Sequence, residues 1–310
     1  MSPAPLRIAT RGSELARWQA DRVAHLLDVD VDIIVVSTTG DRRTDLPLSE
    51  LGGRGVFVKE VQQAVIDGRA DLAVHSAKDL PSAPELQPPG LVLGAFPERG
   101  DVRDALVGST LDTLAPGAIV GTGSPRRLAQ LANARPDLTF AGLRGNIAAR
   151  LARVGALDAV VVANAALERL GREDEAAELL DPAQFVPQVG QGALAVECRK
   201  DDDRSVAALA GIDDAFVRAA VEAERAFLAS VGGGCDLPVG AHATRNECDS
   251  DSDRGLTLTG LTLTGMLASP DGRVVLRHTD AGTDPGALGA AVASALLDGA
   301  GGREMFSVLP

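Results

Sequence analysis

Two stretches decide the fold: Ala9-Thr10-Arg11-Gly12-Ser13-Glu14-Leu15-Ala16, and Val120-Gly121-Thr122-Gly123-Ser124-Pro125-Arg126-Arg127-Leu128-Ala129. Each reads as the end of a strand, a Thr/Gly/Ser turn and the start of a helix. Ser13 and Ser124 stand where an N-cap hydroxyl belongs, and Pro125 suits the first helical position. Helix N-termini with unsatisfied N–H groups attract anions. The echo therefore predicts two lobes, each presenting an anion-collecting turn at the carboxyl ends of its strands, where ligands of open α/β sheets gather.

Short apolar runs alternate with segments of helical period around these turns, the mark of a parallel, doubly wound α/β sheet. Strands are expected at Leu6 to Ala9, Asp32 to Val36, Asp71 to His75, Ala118 to Val120 and Asp158 to Val162. Helices are expected at Glu14 to Leu27, Phe57 to Ile66, Arg126 to Ala134 and Ile147 to Val154. The Pro- and Gly-rich stretch from Pro81 to Gly90 and the charged one from Pro97 to Arg103 read as loop and hinge. An acidic helix is expected from Arg172 to Leu180, then a crossing at Phe185 to Gly192 and a further strand that returns the chain to the first lobe.

The last third changes character. A helix from Asp214 to Ala229 precedes strands at Val239 to Thr244, Leu256 to Leu267 and Val274 to His278, and a helix from Pro285 to Leu297 closes a small α+β domain. Asn246 to Gly255 reads as an exposed, acidic hairpin tip. The expected division is 1–95 with 188–210 as lobe 1, 96–187 as lobe 2 and 211–310 as the C-terminal α+β domain.

A net charge of −13 argues against a nucleic-acid binder, because phosphate rewards basic surfaces. No apolar run reaches the length of a membrane span. The N-terminal residues carry no apolar signal region, which reads as a cytoplasmic protein. Cys198, Cys235 and Cys248 are too scattered for a disulfide framework and have no metal-ligand spacing, so no metal is expected. Lysine is confined to Lys59, Lys78 and Lys200 while acidic residues abound, a halophilic composition that predicts falling activity below molar salt. Against this acidic background, arginines cluster in Gly- and Ser-containing turns, which points to an anionic ligand.

Seven motifs in order carry a resemblance: Ile8-Ala-Thr-Arg-Gly-Ser-Glu-Leu-Ala16, Gly55-Val-Phe-Val-Lys-Glu60, Ala70-Asp-Leu-Ala-Val-His-Ser-Ala-Lys-Asp-Leu-Pro81, Gly121-Thr-Gly-Ser-Pro-Arg-Arg127, Leu143-Arg-Gly-Asn146, Val189-Gly-Gln-Gly-Ala193 and Gly232-Gly-Gly-Cys-Asp-Leu-Pro-Val-Gly240. Over nearly its whole length the chain resembles the porphobilinogen deaminase (hydroxymethylbilane synthase) family. Gly123, Pro125, Ala77, Leu80 and Ala165-Ala166 depart from the commonest pattern, but none of these changes removes a charged or nucleophilic residue.

The resemblance implies two lobes of the type II periplasmic-binding-protein fold and a third domain presenting Cys235. It implies a monomeric transferase of haem and porphyrin biosynthesis that joins four porphobilinogen units head to tail into hydroxymethylbilane, releasing ammonia. It further implies a dipyrromethane cofactor held by a thioether to Cys235, which lies on a glycine-rich loop that leaves its sulfur approachable. Cys198 and Cys248 are expected to be unreactive.

Asp79 is implied as the catalytic carboxylate. The departing amine needs a proton, the developing cation a counter-charge and the pyrrole N–H groups an acceptor. Each pyrrole brings an acetate and a propionate, which arginine forks suit. The implied cofactor contacts are Lys78, Asp79, Thr122, Ser124, Arg126, Arg127 and Arg144. The implied substrate contacts are Arg11, Ser13, Phe57, Arg144, Arg150 and Arg169.

Alternatives stand beside these roles. Arg150 and Arg169 sit on helices where a surface ion pair is the plainer use. Phe57 either stacks on a pyrrole beneath a covering loop at Arg42 to Leu51 or fills the core of its helix. His75 is either a proton shuttle or a packed strand-end histidine. A binding module closing on a small dicarboxylate without chemistry is the rival reading and predicts no role for Cys235. A cysteine-nucleophile hydrolase lacks a histidine placed as its base.

Overall fold

The computed structural model describes residues 4–38, 58–232, 237–246 and 260–307. The chain falls into two units, one of Met1–Gly100, Arg169–Gly171 and Gly192–Arg218, the other of Asp101–Glu168, Arg172–Gln191 and Ala219–Pro310.

The first unit is built on β1 (Leu6–Arg11), β2 (Val31–Val36), β3 (Leu72–Ser76), β4 (Leu91–Ala95) and β10 (Leu194–Arg199), in the order β2-β1-β3-β10-β4. β1 pairs in parallel with β2 and β3, whereas β10 runs antiparallel to both β3 and β4. The expected wholly parallel sheet is therefore mixed, because the last strand enters from a distant part of the chain and fills the gap between β3 and β4. Both faces of the sheet are covered. Leu6, Ile8, Leu72, Val74, Leu194 and Val196 pack with Ala20 and Val23 of the helix Glu14–Leu26 and with Leu209. On the other face, Ala9, Val36 and Ala73 meet Val61, Ala64 and Val65 of the helix Lys59–Ile66. Burial on both faces is why these strands read as continuous apolar runs, each large side chain contributing about 1.5–3 kcal/mol.

The second unit repeats the plan. β5 (Asp104–Val107), β6 (Ile119–Gly121), β7 (Thr139–Ala141), β8 (Ala159–Ala163) and β9 (Ala176–Leu179) lie in the order β7-β6-β8-β5-β9. β6 is parallel to β7 and β8, and β5 is antiparallel to β8 and β9. The helices Pro125–Ala134 and Ile147–Leu151 serve opposite faces, through Leu131 on one and Leu151 on the other. The acidic helix expected at Arg172 to Leu180 is instead a 3₁₀ turn, Glu173–Glu175, leading into β9. Pairing with β5 (Ala105 opposite Leu179, Leu106 opposite Glu178) outweighs local helix propensity, and Glu178 Oε2 accepts from Leu111 N at 2.6 Å.

The same unit holds an antiparallel sheet of β11 (Val239–Arg245), β12 (Leu261–Ala268) and β13 (Val275–Gly282), backed by the helices Ala215–Val231 and Pro285–Ser294. Gly265 of β12 admits this packing. A Cβ there would come within 2.6 Å of the Phe227 ring and 2.7 Å of Val292. Met266 and Ala268 pack in turn on Ala129 and Val186. The pair of doubly wound sheets and the small C-terminal α+β portion correspond to the expected fold class. Among the described residues no helix is long and apolar enough to cross a membrane, and no cluster of side chains suits a metal ion.

Candidate active site

The first turn behaves as its sequence demands. Ser13 caps the helix Glu14–Leu26 by accepting from Ala16 N at 3.3 Å, and Thr10 Oγ1 donates to Ala16 O at 3.0 Å. This places Arg11 at the carboxyl end of β1. The neighbouring strand β3 ends in a 3₁₀ turn, Ala77–Asp79, whose N–H at Ala77 is held by Ala193 O at 3.0 Å. Arg11, Ser13, Gln19, His75, Ser76 and Asp79 line one pocket of this unit, together with the apolar Val58 and Val74. Gln19 is buried and donates through Nε2 to Ser76 Oγ at 2.8 Å. The pocket thus sets a guanidinium and a hydroxyl against a carboxylate. Lys78 is half-buried on the same turn but does not contribute to the pocket lining.

The second turn closes differently. Ser124 caps the helix Pro125–Ala134 by accepting from Arg127 N, and Thr122 Oγ1 accepts from Ser124 N at 3.2 Å. A Cβ at Gly123 would stand 2.5 Å from Leu143 O. This glycine lets the turn lie close against the Leu143 backbone, which a side chain would have to push aside. Arg126 and Arg127 point inward and are buried, 2% and 7% exposed. Both meet Asp104, the first residue of β5. Arg126 Nη2 donates to Asp104 Oδ2 at 2.7 Å, and Arg127 donates to Oδ1 from Nε at 3.0 Å and Nη2 at 2.8 Å. Their remaining arms reach Val186 O and Val161 O, while Gln191 Nε2 adds a bond of 2.8 Å to Asp104. Burial by itself would push the Asp104 carboxyl up, but the two guanidiniums overcome it and hold it below the usual carboxylate range. Burial draws the Arg126 guanidinium down, opposed by Asp104 and reinforced by Arg127. Two cations share one anion, and Arg126 Nε is buried without a hydrogen-bond partner.

The other implied arginines are spread out. Arg144 is exposed on the turn after β7, and Arg150, on the helix Ile147–Leu151, donates from Nε to Gly145 O at 2.9 Å. Arg169 is 9% exposed, donates to Gly192 O at 2.5 Å, and lies 5.5 Å from the ring centroid of Trp18. Cys235, Phe57, Cys248 and the Arg42 to Leu51 loop lie outside the described residues, as does most of the Asn246 to Gly255 tip. Burial, then Asp202, pushes the Cys198 thiol up to about 11, which leaves it a poor nucleophile.

Three groups were missed in the sequence: Asp104, Gln191 and the buried Glu197. A signal was present for two of them. Asp104 opens the run Asp-Ala-Leu-Val, and Glu197 interrupts Leu-Ala-Val-Glu-Cys, each an acid inside an apolar strand.

Fold and site together define an α/β protein with two doubly wound sheets that carries guanidinium and hydroxyl groups in the turns after its strands. The models for "Porphobilinogen deaminase, dipyromethane cofactor binding domain" and "Porphobilinogen deaminase, C-terminal domain" match residues 6–207 and 218–298. The porphobilinogen deaminase of Brevibacillus brevis is 45% identical over 98% of this chain and 97% of its own. That of Acidothermus cellulolyticus is 45% identical over 94% and 88%. The chain belongs to the porphobilinogen deaminase family. Among solved structures, the Bordetella pertussis BvgS periplasmic VFT2 domain is 16% identical, covering 67% of this chain and 86% of that one at a TM-score of 0.40, a likeness too slight to carry an argument.

Proposed function

We propose that this chain condenses four porphobilinogen molecules head to tail into hydroxymethylbilane with release of ammonia, using the pocket of Arg11, Ser13 and Asp79 as its reaction site. The observation that carries the reading is the co-location of these three side chains at adjoining strand ends in one pocket of a chain that belongs to the deaminase family. The donor set fits a dipyrromethane and its substrate. Guanidinium and hydroxyl groups suit the ring carboxylates, and the Asp79 carboxylate suits pyrrole N–H groups. The dipyrromethane, when bound, supplies the pyrrole carbon on which the chain grows.

Asp79 gives a proton to the departing amine and offers a counter-charge to the carbon left behind, which general acid and electrostatic catalysis both require. Arg11 and Ser13 hold a substrate carboxylate so that the amine faces Asp79, while Val58 and Val74 exclude water from that side. Arg144 and Arg150 present further guanidiniums for the carboxylates that accumulate as the chain lengthens. Arg126 and Arg127 serve first as the buried framework of the second turn. The excess of one cation over one anion in that cluster suits a carboxylate arriving at that turn. Lys78, Thr122, Ser124, Arg169 and Phe57 complete the implied contacts, and Cys235 carries the cofactor thioether. Three folding domains are proposed with the boundaries given above, because each has its own sheet. The enzyme is proposed to act as a cytoplasmic monomer.

The test is the intact mass of the purified, denatured protein, with peptide mapping across Gly232 to Val239. An added mass of two porphobilinogen units less two ammonias on Cys235, together with turnover of porphobilinogen, is the expected result. Bare polypeptide that incubation with porphobilinogen never converts would favour a binding module. Turnover in dilute buffer equal to that in molar salt would remove the halophilic reading.

A further inference from the structure

β10 buries a carboxylate that no step above uses. Glu197 is 4% exposed, and Gln62 Nε2 donates to its two oxygens at 3.1 and 2.9 Å. His75 Nε2 lies 3.1 Å from Glu197 Oε2, with the two side chains 3% and 6% exposed. The approach is close but not aligned as a full hydrogen bond, since His75 Nε2 has no partner of good geometry. Sheet register brings the pair together. Ala195 sits opposite His75 and Glu197 opposite Ala73, so residues 73, 75, 195 and 197 share one face of the sheet. The helix Lys59–Ile66 lies over that face through Val61, Ala64 and Val65, and its Gln62 is buried.

A carboxylate buried in a sheet face beside an apolar core is costly unless it is bonded, and an apolar residue would fill the strand position without that cost. Among the described residues an amide and an imidazole, not an arginine, meet Glu197. The imidazole also lines the pocket that holds Arg11, Ser13 and Asp79.

We propose that Glu197 is a positioning residue for the deaminase reaction, acting through His75 to fix the ring edge that His75 presents to the pocket beside Asp79. Glu197, itself held by Gln62, restrains one ring nitrogen, so the ring faces the pocket in one orientation. An imidazole nitrogen is then fixed where an amine departs and a ring proton is shed. This inference rests on reading the Asp79 pocket as the reaction site.

The test uses the cofactor-loaded full chain, loading being verified by intact mass. Glu197→Gln keeps the side-chain shape. It is expected to lower kcat about tenfold while KM stays within about twofold, the scale seen when a group that orients another is removed. His75→Asn should lower kcat comparably, and the double variant should be no slower than His75→Asn alone. Added imidazole should restore part of the kcat of His75→Ala, which a merely structural histidine would not allow. Wild-type kcat in Glu197→Gln, losses that multiply in the double variant, or an effect confined to KM would each overturn the proposal. Should Glu197→Gln fail to fold, Gln62→Ala loosens Glu197 without removing a charge. A kcat lower by roughly threefold is then expected, and an unchanged kcat overturns the proposal. A wild-type protein that never turns over porphobilinogen would instead sink the activity reading. An active wild type with unaffected variants sinks only the role of Glu197.

Discussion

The two five-stranded sheets share one pattern of strand directions, three parallel strands beside an antiparallel one, yet they use their arginine-bearing turns in opposite ways. In the first unit Arg11 lines a pocket with Asp79. In the second, Arg126 and Arg127 turn inward and are consumed by Asp104. The antiparallel strand inserted into each sheet accounts for the contrast, because each buries one acid on a different set of neighbours. Asp104 of β5 meets two guanidiniums, whereas Glu197 of β10 meets an amide and an imidazole. Topology fixes where a turn lies. The side chain offered by the inserted strand decides how far the turn's arginines are tied into the core.

The sharpest way to break this contrast is at its open side. Asp79→Asn should lower kcat by about a thousandfold, within the range of positioned acid–base groups, with the far-ultraviolet circular dichroism unchanged. A loss below tenfold in a loaded enzyme would place the chemistry elsewhere. On the closed side, Arg127→Ala leaves Asp104 with one cation and strands part of its buried charge. Stability should fall by about 3–5 kcal/mol in urea unfolding, the usual cost of breaking a buried pair. A change below about 1 kcal/mol would show that water already reaches the cluster. Arg11→Ala completes the comparison. It should raise KM by roughly tenfold, the worth of one charge-assisted hydrogen bond, while the urea midpoint stays put.

Acid sharpens the picture further. Arg126 and Arg127 overcome burial to depress Asp104, and at Asp71 burial is overcome by Arg7 and then Arg199, which bring that carboxyl to about 2. A carboxyl whose folded value lies below its unfolded one binds fewer protons when folded. Its stabilisation is therefore complete above about pH 4 and is lost as pH falls through the folded value. The melting temperature should hold from neutrality to about pH 5 and decline below it, and Asp71→Asn should flatten the part of the decline nearest pH 2–4. The smallest effect belongs to Arg172 and Glu175, an ion pair on the exposed turn before β9. Arg172→Ala should change stability by less than about 0.5 kcal/mol in the same urea experiment.

Much of the fold is legible wherever local patterning and burial agree. β1, β3 and β8 and the capped helices after Ser13 and Ser124 follow from apolar runs and cap chemistry alone, since both faces of each sheet are covered. β9 is not legible, because Glu173 to Leu180 has a helix-like composition and becomes a strand only through its pairing with β5. The antiparallel insertion of β5 and β10 is equally hidden, as nothing local in either strand states its partner.

The site divides along the same line. Sequence by itself determined the two strand–turn–helix units, the arginine-bearing turns, the acid at position 79 and the family motifs, because caps, turns and short-period patterning are set by neighbours in the chain. Only the tertiary structure decided that Arg11 and Asp79 share a pocket while Arg126 and Arg127 close on Asp104, and that Glu197 reaches His75. Those outcomes depend on partners 22 or more residues away, and on a desolvation that no single segment can reveal.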